Sequence, residues 1–169
     1  DLLVGGAGAD KLDGGEGTDT ASYASSAAGV TAHLDGTAGS GGDAEGDTLT
    51  GIENLVGSDH DDNLYGDDGD NTLTGGKGAD HIDGGAGIDS VSFADSEVAV
   101  EVFLDGRVSH GGDAEGDTYA NIEDLTGSAF ADHLVGDASD NTLTGGEGDD
   151  VLEGGAGADV LDGGEGFDI

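Results

Sequence analysis

Nine-residue units of the form G-G-x-G-x-D-x-U-x, with U apolar, recur in register along this chain of 169 residues. Gly5 to Asp13 reads GGAGADKLD, Gly75 to Asp83 GGKGADHID, and Gly154 to Asp162 GGAGADVLD. Glycine at positions one, two and four permits positive φ and close backbone approach, so carbonyl oxygens can converge. Asp at position six adds a full negative charge. Positions seven to nine make a minimal strand whose middle residue turns inward: Leu12, Leu64, Leu73, Ile82, Val91, Leu134, Leu143, Leu152 and Leu161. A turn that offers carbonyls and a carboxylate, followed by a short strand, can hold a hard cation between stacked turns.

A longer period encloses the short one. Asp19-Thr-Ala-Ser-Tyr23 returns 70 residues later as Asp89-Ser-Val-Ser-Phe93. The octet GGDAEGDT at 41–48 returns at 111–118, and Ile52-Glu-Asn-Leu55 returns as Ile122-Glu-Asp-Leu125. Nonapeptide blocks therefore occupy 1–22, 57–92 and 127–169, and 34-residue spacers occupy 23–56 and 93–126. Two units make an 18-residue turn, so each spacer is close to two turns and is expected to continue one stack over 1–169. Val30–Leu34 and Val100–Leu104 alternate at period two, as a half-buried strand does, and Gly42–Thr50 is a degenerate nonapeptide. Glycine at every second or third position excludes a helical pattern.

Composition explains why such a chain needs help to fold. Thirty-nine acidic residues face only Lys11, Lys77 and Arg107, a formal charge of −36, and glycine occurs 37 times. Glycine loses the most freedom on ordering, and carboxylates of like charge repel. The metal-free chain is expected to be disordered. The fixed apolar position argues that it is not disordered under all conditions. Few basic residues exclude a phosphate-binding surface for nucleic acid. With no cysteine there is neither a disulfide framework nor a thiolate metal site, and no apolar run is long enough to span a membrane. No secretory leader opens the sequence. It begins and stops mid-repeat, as a piece of a longer protein would.

If same-side strands stack, residues 18 apart become vertical neighbours: Asp1 with Asp19, Asp62 with Asp80, Asn71 with Asp89, Asp132 with Asp150, Asn141 with Asp159, and Asp150 with Asp168. Two carboxylates so placed need a cation between them. Oxygen-only ligands, many from the backbone, select Ca²⁺ over zinc or copper.

The repeated G-G-x-G-x-D units resemble the RTX (repeats-in-toxin) family of type I secreted bacterial proteins. The resemblance implies an all-β parallel β-roll, a right-handed β-helix solenoid of about nine 18-residue turns, with calcium between successive turns and a secreted, extracellular setting. It further implies that carbonyls of positions two and four join the Asp of one turn. Carbonyls of positions one and three would join the Asp of the turn above. Carried over, Ser58, His60 and Asp62 would meet Gly75, Lys77 and Asp80, and Asp67, Gly69 and Asn71 would meet Gly84, Ala86 and Asp89. In the third block, Ser128, Phe130 and Asp132 would meet Gly145, Glu147 and Asp150. Asp137, Ser139 and Asn141 would meet Gly154, Ala156 and Asp159, and Gly146, Gly148 and Asp150 would meet Gly163, Glu165 and Asp168. Asn71 and Asn141 lack the charge, and position four is not glycine at His60, Phe130 and Ser139, so those sites are expected to be weaker. In the first block Asp1, Asp10 and Asp19 are the candidate ligands, although Asp10 finds only Ala28 eighteen residues later, which weakens the case for a regular site there.

Other chemistries find less support. The histidines at 33, 60, 81, 110 and 133 have no zinc-like spacing and are expected on the surface. Asp59–Leu64 resembles an EF-hand opening but has Leu at the sixth place and no flanking helices. No phosphate-binding glycine motif occurs, and no nucleophile has a repeated histidine partner. This segment is therefore not expected to be an enzyme. Asp43, Glu45 and Asp47, with their copies Asp113, Glu115 and Asp117, are either further calcium sites or a solvated loop. A polysaccharide-binding module, resembling those of alginate epimerases, would have to stack sugars on Tyr23, Phe93, Phe103 or Tyr119. Thr-x-Thr at 48–50, 72–74 and 142–144 does not fall on consecutive same-side turns, which removes an ice-binding array but leaves an adhesin spacer. A monomer is expected.

Overall fold

The computed structural model describes residues 1–169. Its short strands are in the main positions seven to nine of each unit, and most stop where the next unit's glycines begin, although Thr142–Glu147 and Val160–Glu165 run on through them. Gly76 and Gly78, for example, take φ of 99° and 135°, which a residue with a β-carbon rarely adopts. One side of the stack is an eight-stranded parallel sheet. In spatial order it holds β1 (Leu2–Leu3), β3 (Thr20–Ser22), β6 (Asn54–Val56), β8 (Thr72–Thr74), β10 (Ser90–Ser92), β13 (Asp124–Thr126), β15 (Thr142–Glu147) and β17 (Val160–Glu165). The other side is divided into three. β2 (Lys11–Asp13) pairs β5 (Thr48–Thr50); β4 (Thr31–His33), β7 (Asn63–Tyr65), β9 (His81–Asp83) and β12 (Thr118–Ala120) form the second sheet; and β11 (Glu101–Phe103), β14 (His133–Val135) and β16 (Val151–Glu153) form the third. There is no α-helix, only single 3₁₀ turns at Gly42–Ala44 and Gly112–Ala114. No helix is long and apolar enough to cross a membrane.

The spacers behave differently from two ordinary turns. β4 pairs forward onto β7, Ala32 lying on Leu64. The chain then doubles back through an antiparallel bridge between Thr31 and Ser40. It lays β5 backward onto β2, Leu49 on Leu12, before β6 joins β3. The second spacer repeats this with Val102 on Leu134 and Tyr119 on Ile82. Each spacer thus advances the long sheet by one rung instead of two and adds two strands to the opposite side. Against the expected nine or so turns, the long sheet carries eight strands.

The core is a column between the two sides. Ala21, Leu55, Leu73, Val91, Leu125 and Leu143 stack in register along the long sheet, each fully buried. Leu64, Ile82 and Leu134 face them. Burying each such side chain contributes about 1.5–3 kcal/mol. Leu161, expected inside, is 47% exposed because β17 is the last rung and only β15 pairs with it.

Candidate metal centre

Acids 18 residues apart do meet, through one recurring bond. The amide of the lower residue donates to Oδ1 of the upper: Asp62 to Asp80, Asn71 to Asp89 and Asp132 to Asp150, each at 2.8 Å. Asn141 to Asp159 spans 3.0 Å and Asp150 to Asp168 spans 3.1 Å. The amino nitrogen of Asp1 takes the same place on Asp19, at 2.6 Å. The bond fixes one oxygen and leaves the other. Oδ2 of Asp10, Asp19, Asp80, Asp89 and Asp150 is buried with no hydrogen-bond partner. A buried, unpartnered carboxylate oxygen is strongly unfavourable, and at Asp80, Asp89 and Asp150 the carboxyl is raised accordingly. Burial raises Asp80 to about 8, against the Asp62 amide that lowers it, with the Asp117, Asp62 and Asp61 charges adding to the rise. Burial likewise raises Asp117 to about 6 and lifts Asp89 and Asp150.

Backbone oxygens line the same gaps. A β-carbon built on Gly78 would lie 2.6 Å from the His60 carbonyl carbon and 2.7 Å from its oxygen. The Ser58 carbonyl reaches Gly76 in the same way. Those of Asp67 and Gly69 reach Gly85 and Gly87, and those of Ser128 and Phe130 reach Gly146 and Gly148. Asp137 and Ser139 point at Gly155 and Gly157, and Gly146 and Gly148 at Gly164 and Gly166. From above, the Gly75, Gly84, Gly145, Gly154 and Gly163 carbonyls descend onto the first glycine of the turn below. The third-position residues Lys77, Ala86, Glu147, Ala156 and Glu165 lie on the exposed rim, and the Glu165 carbonyl already accepts the Gly148 amide at 2.9 Å. No three acidic or histidine side chains converge on one point. A cation here would rest chiefly on carbonyls and on single unpartnered carboxylate oxygens, a donor set that suits a hard divalent ion.

Two expected ligands are already satisfied. Asp62 accepts the Ser58 amide on Oδ2, and on Oδ1 the Ser58 hydroxyl at 2.9 Å and the Val30 amide at 2.7 Å. Asp132 repeats this with Ser128 and Val100. Serine at position two thus supplies donors where other turns leave an oxygen bare. Asn71 and Asn141 likewise spend Oδ1 on the amides of Asp67 and Asp137, both at 2.8 Å. Ser58→Ala with Ser128→Ala is expected to lower thermal stability by about 1–2 kcal/mol each, with the number of bound calcium ions unchanged in a calorimetric titration.

Four acids in the spacers escaped the 18-residue rule. Asp10 stacks not on Ala28 but on Asp47, its amide 2.8 Å from Oδ1, and Asp80 stacks on Asp117 at the same distance. Position six of the degenerate unit at 42–50 was the available signal. Glu53 and Glu123 accept the amides of Asp19 and Asp89, at 2.9 and 3.0 Å. The spacer acids do not gather, since Glu45 and Glu115 instead bond the Gly41 and Gly111 amides. The second oxygen of Asp47 accepts the Tyr23 hydroxyl at 3.1 Å, and that of Asp117 accepts Tyr119 at 2.8 Å. His133 lies between Glu101 and Glu153, and His33 stacks on Tyr65. Tyr23, Phe93, Phe103 and Tyr119 are all buried, so none offers a face to a sugar.

A parallel β-stack whose turns present carbonyls and bare carboxylate oxygens to one another defines the class of cation-stabilised solenoids. The sequence matches the family model of the RTX calcium-binding nonapeptide repeat in four copies, at residues 1–22, 56–91, 117–152 and 135–169. These matches span well over half of the chain, which therefore belongs to the RTX calcium-binding repeat family. It is a calcium-binding RTX segment, of a family whose repeats are typically structural and not catalytic. The curated proteins contain no match to it.

Proposed function

We propose that this segment is a calcium-dependent folding module of a larger secreted bacterial protein, without catalytic chemistry of its own. Calcium lies between successive turns, held by Asp80, Asp89, Asp150, Asp159 and Asp168 with the carbonyls that face them. The observation that carries this is the row of buried Oδ2 atoms without partners in a chain of net charge −36. Without cations those groups oppose the fold; with them they bind it together. A ligand that binds only the folded state stabilises it by RT ln(1 + [L]/Kd) per site, about 1.4 kcal/mol at tenfold Kd. Extracellular calcium modules work near 10⁻⁴–10⁻³ M, so a low-calcium cytoplasm leaves the chain unfolded for export and the exterior folds it. Far-UV circular dichroism is expected to show coil in EDTA and β structure above about 1 mM calcium, with a steep transition between. Identical spectra in the two conditions would refute the proposal.

A further inference from the structure

Each spacer returns to the long sheet through a three-residue corner, Gly51-Ile52-Glu53 or Asn121-Ile122-Glu123, where a nonapeptide would spend six residues. Three features of these corners copy an ordinary upper turn. The corner glutamate accepts the amide of the aspartate below, as a stacked aspartate does elsewhere. The first carbonyl of the corner descends onto the first glycine of the turn below, Gly51 onto Gly14 and Asn121 onto Gly84. Asp19 and Asp89 each keep a bare Oδ2 there while 1% and 0% exposed. At Gly84 that oxygen and the Asn121 carbonyl both reach the place a β-carbon would occupy.

Backbone conformation singles out the same place. Asn121 is the one non-glycine residue with positive φ, 52°, matching 59° at Gly51 in the first copy. Holding a residue with a β-carbon there is unfavourable, and the conformation aims its carbonyl into the gap. The glutamate is one methylene longer than aspartate, which lets a corner shortened by three residues still deliver a carboxylate. One of its oxygens takes the amide, and Oε1 stays available.

We propose that Glu53 with Asp19, and Glu123 with Asp89, close two further calcium sites at the spacer corners, completed by the Gly51 and Asn121 carbonyls. This rests on the calcium reading above, and it makes each spacer a ligand-bearing part of the stack.

The test is a calorimetric count of calcium on the whole chain and on the double variant Glu53→Gln, Glu123→Gln. Glutamine keeps an acceptor for the Asp19 and Asp89 amides and replaces the free carboxylate oxygen, with its charge, by an NH2 donor. Two fewer ions are expected in the variant, with the remaining affinities within about threefold, a shift under 1 kcal/mol. An unchanged count on a chain that binds calcium overturns the inference alone. A parent chain that binds no calcium overturns both the inference and the function it rests on. If the variant fails to fold, calcium anomalous density in crystals of the unaltered chain decides. A peak between Asp89 and Glu123 is expected, and peaks confined to the gaps between nonapeptide turns would overturn the proposal.

Discussion

In chelator, Asp80→Asn is expected to stabilise the stack, and in excess calcium the same substitution is expected to weaken it. Asparagine keeps the acceptor for the Asp62 amide but removes a charge that is 1% exposed and has one bare oxygen. Without metal, that charge only opposes folding, so its loss raises the small folded fraction that persists in chelator. With metal, a charged ligand disappears, and the calcium midpoint should rise about tenfold, or about 1.4 kcal/mol. The pH dependence of the metal-free chain has a definite sign. The Asp80 carboxyl titrates near 8 in the fold, above its ordinary 3.8. Its contribution is therefore fully present below the ordinary value and lost as pH rises through about 8. In EDTA the parent chain is expected to be more structured near about pH 5 than near about pH 9, and Asp80→Asn to flatten that slope. Residual β signal in EDTA as a function of pH, and calcium titrations followed by circular dichroism, check this for both proteins; a change of the same sign in both conditions would refute it.

Gly148→Ala is expected to be among the most damaging single changes in the chain. Gly148 takes φ 128° and a β-carbon on it would lie 2.6 Å from the Phe130 carbonyl and 2.8 Å from the Ala131 nitrogen. Those are backbone atoms of the turn beneath and cannot step aside without parting the rungs. Gly8 occupies the same place in its unit with φ 132°, yet the nearest atom to its β-carbon would be Asp10 Oδ2 at 3.9 Å. Gly8→Ala thus carries the conformational strain alone, about 1–3 kcal/mol, and Gly148→Ala carries it with the collision added. The calcium midpoint by circular dichroism should move far more for Gly148→Ala, and equal shifts would show that strain alone explains both.

The nonapeptide blocks were readable from the sequence because glycine, aspartate and an apolar residue fall at fixed places. Register then follows from the 18-residue spacing, and Asp62 on Asp80 or Leu73 on Val91 follows from register. The spacers were harder. Their strands alternate as expected at Val30–Leu34, but nothing local says that β4 pairs forward and β5 pairs back. That choice belongs to Leu49 meeting Leu12 and Ala32 meeting Leu64, contacts that only the folded stack brings together. The same blindness hid Glu53 and Glu123, whose role depends on a corner three residues shorter than the motif. It also hid the Ser58 and Ser128 hydroxyls, because a serine at position two looks like an ordinary degenerate glycine until its bond to Asp62 or Asp132 is seen.

The two long repeats also carry an exchange. The hydroxyl on Asp47 comes from Tyr23, with Leu49 beside it in the strand, whereas the hydroxyl on Asp117 comes from Tyr119, with Phe93 in the place of Tyr23. Each half holds one phenol and one hydrocarbon at these two positions, in opposite order. A hybrid spliced between residues 23 and 49 of one copy and the matching stretch of the other would inherit two phenols for one acid, or none. The heritable part of this molecule is therefore the whole looped-out segment with its preceding strand, and the nine-residue motif is too small a brick to shuffle.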